Sequence, residues 1–163
     1  MRSSAKSGLI KLGLATFCAL ASVSAVHAQD APSADEQAQK AADLRQSVFK
    51  LIAWNFDPVA GMLKNKVPFD AAVVQKSAAR LEVLAPMITE AFQTDTRKAS
   101  VKTKAREAVW TNNADFKAKN DDFAKASAAL SVAAKGGEKK AVMQAVAAVG
   151  KACGACHDSF RDK

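Results

Sequence analysis

The sequence predicts an all-α protein, an antiparallel four-helix bundle. Three observations carry this: apolar residues recur at three- and four-residue steps in four separate segments, no stretch alternates apolar and polar residues as a half-buried strand would, and polar or glycine-containing breaks part the periodic segments. At 163 residues the chain has one-domain size and can bury a core unaided. Helices of roughly 20 residues run about 30 Å each, and short connections around one core favour the bundle.

Residues 1–28, MRSSAKSGLIKLGLATFCALASVSAVHA, stand apart from this domain. Arg2, Lys6 and Lys11 precede an apolar run around Leu12 to Val26 and a small-residue site at Val26-His27-Ala28, the pattern of a secretory signal peptide. The run is too short and too interrupted by Ser and Thr to span a membrane, and no second run of membrane length follows. The expected product is an exported, periplasmic protein covering 29–163, with no membrane insertion after processing. Phe17 stands where a lipoprotein signal wants a small residue, so Cys18 reads as an ordinary apolar signal residue.

The first helix starts at Ser33, where Glu36 three residues on completes a capping box. It carries two stripes, Leu44, Val48, Leu51, Asn55, Val59 and Arg45, Phe49, Ile52, Phe56, so it has two things to bury. Pro58 is expected to kink or end it, with at most a further turn or two before Asn65. The second helix follows VPFD at 67–70 with Asp70 near its cap, and shows Val74, Ala78, Leu81, Ile88 and Phe92 on one face; Pro86 predicts a kink. QTDTRKASVKTK at 93–104 is polar and aperiodic, a crossing loop. The third helix, roughly 106–135, places Val109, Phe116, Phe123 and Leu130 on a bundle seam and stops at Gly136-Gly137. The fourth, about 138–160, repeats Val142, Val146, Val149, Cys153, Cys156 and Phe160.

Cysteine occurs only at 18, 153 and 156, and histidine only at 27 and 157, so after processing every one left falls in CGACH. On a helix, positions three and four apart lie over one another, which brings Cys153, Cys156 and His157 to one face. Two thiols at this spacing can each add to a vinyl group of haem while the imidazole reaches the iron, and Cys-x-x-Cys-His is the c-type attachment signature. A zinc site needs about four ligands, and no second Cys or His pair exists. A thioredoxin-like pair wants a strand before its helix, and a disulfide between these cysteines would close too small a ring to stabilise much. Gly150 and Gly154 inside the helix mark either close approach by something flat or glycines that are merely tolerated.

Charge excludes little else. The formal net charge is +8, or +5 without Arg2, Lys6 and Lys11. Lysines are interleaved with acids and the aromatics sit at core spacing, so nucleic acid is not indicated as a partner; a mild preference for acidic partners is all the sign supports.

With CGACHDSFR at 153–161 in the last helix, LRQSVF at 44–49, KVPFDAA at 66–72 and TKAREAVW at 103–110, the chain resembles cytochrome c', the class II c-type cytochromes. The resemblance spans the domain after the signal. It implies covalent haem c, one per chain, held by Cys153 and Cys156, with His157 as the axial ligand to iron and Arg161 beside it. It implies Arg45 and Gln46 near the haem edge and propionates, joined by Thr103 from the crossing loop, and Phe49 over the distal face. Where the family often has Pro-Glu before Ile-Trp, this chain has Glu107-Ala108 before Val109-Trp110.

Low-spin members of the class place a methionine on the first helix as sixth ligand; here none occurs before Met62, beyond Pro58. The iron is therefore expected to be five-coordinate under Phe49, Ile52 and Phe56, an apolar cover that suits uncharged diatomic gases, chiefly nitric oxide and also carbon monoxide. The expected function is gas binding, for nitric oxide sequestration, rather than turnover; the alternative is a periplasmic electron-transfer cytochrome with redox partner proteins. Peroxidase chemistry lacks a visible distal His and Arg pair. The family is commonly a homodimer through its first two helices, and Leu44, Val48, Leu51 and Val59 serve either the bundle core or such a partner.

Overall fold

The structure, a computed structural model, describes residues 31–163; the expected signal peptide, with Cys18 and His27, lies outside the described residues. Four long helices form the bundle: α1 Ala34–Leu63, α2 Ala71–Ala91, α4 Asn113–Gly136 and α5 Lys139–Phe160, with a single turn, α3 Ala108–Thr111, leading into α4. Among the described residues there is no strand, only one isolated bridge between Ala105 and Arg161. No helix among them is long and apolar enough to cross a membrane.

Local chemistry sets the helix starts. Ser33 caps α1 by accepting from the Glu36 N–H at 3.2 Å while its own N–H donates to Glu36 Oε2 at 2.7 Å, the reciprocal capping box. Asp70 Oδ1 accepts from Val73 N at 3.0 Å at the head of α2, and Glu138 accepts from Lys140 N and Ala141 N at the head of α5. Gly137 closes α4 at φ 74°, a left-handed conformation that costs glycine nothing.

The expected third helix is broken in two. Asn112, at φ −121° and ψ 49°, ends α3 and precedes α4. In Thr111-Asn112-Asn113 short polar side chains compete for the backbone and favour such a break over a continuous helix. Pro58 and Pro86, by contrast, sit inside α1 and α2, which run on past them. Each removes one donor, and tertiary packing of Val59 and Met62, or Ile88 and Ala91, holds the turns beyond.

Neighbouring helices run antiparallel. Along α1 residue numbers rise from Phe49 to Asn55 while their partners around α2 fall from Phe92 to Arg80. Gln75, early in α2, donates to the Ala134 carbonyl late in α4 at 3.1 Å, and Trp110 donates to the Phe92 carbonyl at 3.2 Å. Leu81, Leu130, Val59, Val142 and Val146 fill the shared interior. The buried seam of α1 crosses both predicted stripes: Arg45, Val48, Ile52, Asn55, Val59 and Met62 face inward, whereas Leu44 and Leu51 are 54% and 48% exposed. With Trp54, and with Val83 and Met87 of α2, these leucines leave apolar side chains on the outside of the first two helices.

The crossing loop is anchored. Thr96 is buried within it and accepts from Arg45 Nη2 at 3.0 Å, tying the loop to the middle of α1.

Candidate functional site

Toward one end of the bundle α1 and α5 part. They meet at Gly150, where a Cβ would lie 3.5 Å from Phe56 Cζ, and beyond that level they enclose a cavity of about 940 Å³. That is at the upper end of the roughly 300–1,000 Å³ usual for ligand sites. The flat group near Gly150 is thus the Phe56 ring, and nothing comes within 4 Å of a Cβ at Gly154.

All eight candidate residues stand on the wall of this one cavity: Arg45, Gln46 and Phe49 from α1, Thr103 from the crossing loop, Cys153, Cys156 and His157 from α5, and Arg161 just past it. The α1 side adds Ile52, Ala53 and Phe56, and α4 adds Lys119, Asn120 and Phe123. A chain of aromatic rings, three of them on the cavity wall, links α1, the end of α2, α4 and α5. Phe49 meets Phe92 edge-on at 6.2 Å, Phe92 meets Phe116 at 5.0 Å, and Phe116 meets Phe160 at 5.3 Å.

Arg45 is 4% exposed. Its Nε donates to the Ala41 carbonyl at 3.1 Å and its Nη2 to Thr96, and it lies over the rings of Phe92 at 4.9 Å and Trp110 at 5.4 Å. Nη1 has no hydrogen-bond partner. Burial pushes the guanidinium pKa down, with Asp95 acting weakly the other way, yet arginine stays charged in proteins. A buried cation with a free N–H on a cavity wall calls for an anion there.

Both thiols are free and half-buried. Burial raises the Cys153 pKa, and burial raises that of Cys156 against the pull of Lys119, so neither is the low-pKa thiolate of a redox pair. Burial and the Arg161 charge lower the His157 pKa, against Asp158, which favours the neutral imidazole that ligates metal. Among the described residues no group of three or more His, Cys, Asp and Glu side chains is disposed to hold a metal ion directly. Iron would have to arrive within a larger group. The chemistry present is two reduced thiols and one imidazole within two turns, facing an apolar cavity with a buried cation across it.

The family model described as cytochrome c' matches residues 25–161. The chain belongs to the cytochrome c' family. Its relatives include cytochrome c' of Rubrivivax gelatinosus, 42% identical over 123 residues, 76% of this chain and 95% of that protein. Among solved structures, cytochrome c prime from Shewanella frigidimarina matches with a TM-score of 0.73 and 38% identity, covering 78% of this chain and 98% of that one. A nitric oxide complex of a variant of cytochrome c prime from Alcaligenes xylosoxidans matches with a TM-score of 0.69 and 32% identity, covering 77% and 97%. The cofactor of a cytochrome c' is covalently bound haem c, and the residues here fit it: free thiols at the attachment spacing, an imidazole one residue on, a cavity of porphyrin-holding size, and an unpaired Arg45 N–H for a carboxylate.

The sequence reading passed over the α4 side of the cavity. Asn120 is buried with an unpartnered Oδ1, and Lys119 beside it is half-buried. The signal was available, since 120 falls between Phe116 and Phe123 on the seam and a polar residue there breaks an apolar pattern. Glu107 and Ala108, where the family often has Pro-Glu, stay off the cavity wall.

Proposed function

We propose that this cytochrome c' is a periplasmic gas-binding haem protein that sequesters small uncharged molecules, chiefly nitric oxide and also carbon monoxide, and turns nothing over. In this reading Cys153 and Cys156 form the two thioethers, His157 is the axial ligand, and Arg45 pairs with a propionate with Gln46 and Thr103 near it. Haem iron supplies the position at which a diatomic ligand coordinates.

One observation carries the proposal. On the cavity wall α1 presents Phe49, Ile52, Ala53 and Phe56 beside the polar Arg45, Gln46, Lys50 and Asp57, and among the described residues no methionine lines the cavity. The four apolar side chains among these offer neither a sixth ligand nor an N–H or O–H donor. Phe49 excludes bulk, and an apolar cover disfavours charged ligands and dioxygen, whose bound form develops negative charge that a donor normally stabilises. The nitric oxide complex of the Alcaligenes relative agrees with this choice. The test is an absorption and electron-spin spectrum of the mature protein with and without nitric oxide: a high-spin ferric form and reversible gas uptake are expected, and a fully low-spin ferric form overturns the reading.

A second reading, electron transfer, draws on the cavity rim. Lys50, Lys102, Lys104, Lys119 and Arg161 line it, none with a salt-bridge partner among the described residues, against the single acid Asp57. Such a rim would steer acidic redox proteins, and its mark is a reduction rate that falls steeply with ionic strength. The exposed Leu44, Leu51, Trp54, Val83 and Met87 support a homodimer through α1 and α2. Sedimentation of the wild type against Leu51→Lys tests it, and two equal monomeric masses would dismiss it.

A further inference from the structure

The end of α5 is held by Arg106, a residue off the cavity wall. A helix leaves its last four carbonyls without intrahelical partners. In α5 these are His157, Asp158, Ser159 and Phe160. The His157 carbonyl accepts from Arg161 N at 3.1 Å. The other three are taken by Arg106, whose Nη1 donates to the Asp158 carbonyl at 2.8 Å and the Ser159 carbonyl at 3.4 Å, while its backbone N–H donates to the Phe160 carbonyl at 3.0 Å. Arg106 Nε is itself fixed by Asp162 Oδ1 at 3.0 Å, and Asp162 N returns a bond to the Lys104 carbonyl at 2.8 Å. Ala105 pairs with Arg161 in the antiparallel bridge.

We propose that Arg106 is a positioning residue for the proximal side of the haem: by satisfying three terminal carbonyls of α5 it holds the turn that carries His157 and sets Arg161 at the cavity wall. This rests on His157 being the axial ligand. A cation is favourable at a helix C-terminus on electrostatic grounds alone, but a surface lysine would supply that much. The fork of a guanidinium adds direction, with two N–H groups toward carbonyls and a third toward Asp162. Thr103, Lys104 and Ala105, which line the cavity from the loop side, immediately precede Arg106, so the same clasp joins both flanks of the rim. Without its side chain, the Asp158 and Ser159 carbonyls lose their partners, the last turn of α5 is held only by the backbone bonds of Arg161 to His157 and of Arg106 to Phe160, and it frays more readily, as helix ends do.

The test compares mature, haem-loaded wild type, Arg106→Gln and Arg106→Lys. In Arg106→Gln, amide exchange at Arg161 and Asp162 is expected to rise about tenfold or more, the loss due to removing bonds from a charged donor, while exchange at Val146 stays unchanged. The iron–imidazole stretching band of the ferrous protein is expected to broaden or shift. Arg106→Lys should restore part of each effect. A purely structural clasp would speed exchange yet leave the imidazole band as in wild type, and that result overturns the proposal. If Arg106→Gln does not mature, Asp162→Ala, which frees Nε alone, must shift the same band in the same direction; no shift overturns the proposal equally. Wild type that takes up no nitric oxide overturns the gas-binding reading, whereas wild type that does, with an unaltered Arg106→Gln, overturns only the role of Arg106.

Discussion

Replacing Arg45 by Met separates two accounts of a buried cation. The substitution keeps length and apolar volume but removes two hydrogen bonds, Nη2 to Thr96 at 3.0 Å and Nε to the Ala41 carbonyl at 3.1 Å, and the stacking on Phe92 and Trp110. Bonds from a charged donor are worth about 1.5–3 kcal/mol each and a desolvated cation–π contact about 2 kcal/mol. Against this stands relief from holding a charge out of water, several kcal/mol when no anion is near. Those amounts are of similar size, so without a counter-charge the substitution comes out near neutral. With a propionate on Nη1 the charge is compensated and removing it costs about 3–5 kcal/mol, the usual penalty for breaking a buried pair. Urea unfolding of the mature protein, followed by far-ultraviolet circular dichroism, measures the difference, since the tethered cofactor stays on the chain. We expect a loss of about 3–5 kcal/mol, and a change within about 1 kcal/mol would refute the pairing of Arg45 with an anion.

Other outcomes follow from the same geometry. Gly154→Ala meets nothing within 4 Å, so helix propensity should stabilise the mature protein by about 0.8–1.0 kcal/mol with haem content unchanged; lost haem would mean that a group does lie against Gly154 after all. Cys153→Ser or Cys156→Ser should leave one thioether and the double variant none, read as haem-linked mass on denaturing gels. The Glu36 carboxyl is held below its ordinary 4.5 first by the Ser33 backbone N–H and next by the Ser33 side chain. A depressed carboxyl stabilises above its unfolded pKa and ceases to as pH falls through the folded one, so the start of α1 should fray in acid below the usual glutamate range. A carbon-13 titration in which Glu36 is not lowered from the ordinary glutamate value in the folded protein would contradict this.

Cap chemistry was legible in the sequence because it is local: Ser33 with Glu36, Asp70 and Gly137 act through bonds to residues two to four positions away. The phase of α1 was not, since Leu44 and Leu51 are as apolar as Val48 and Ile52 and only the placement of α2 and α5 decides which face is covered. Cys153, Cys156 and His157 could be joined by helical spacing alone. Arg45, Gln46, Phe49 and Thr103 lie far from them in the chain, and the likeness to cytochrome c' brought those four to the same cavity. Asn120 was legible as a polar break in the apolar seam of α4, whereas the clasp at Arg106 was not, because it depends on the path of the crossing loop and on where the end of α5 meets it. No periodicity encodes those.

Cys153 and Cys156, the proposed attachment residues, lie on α5, behind α1, α2 and α4 in chain order. Ribosomal synthesis therefore delivers three long helices before the tether can be made. A premature stop between the end of α4 and Cys153 yields a polypeptide with most of its scaffold and without the CGACH segment, so completeness of translation and loading with haem would be read out together, at one end of one helix.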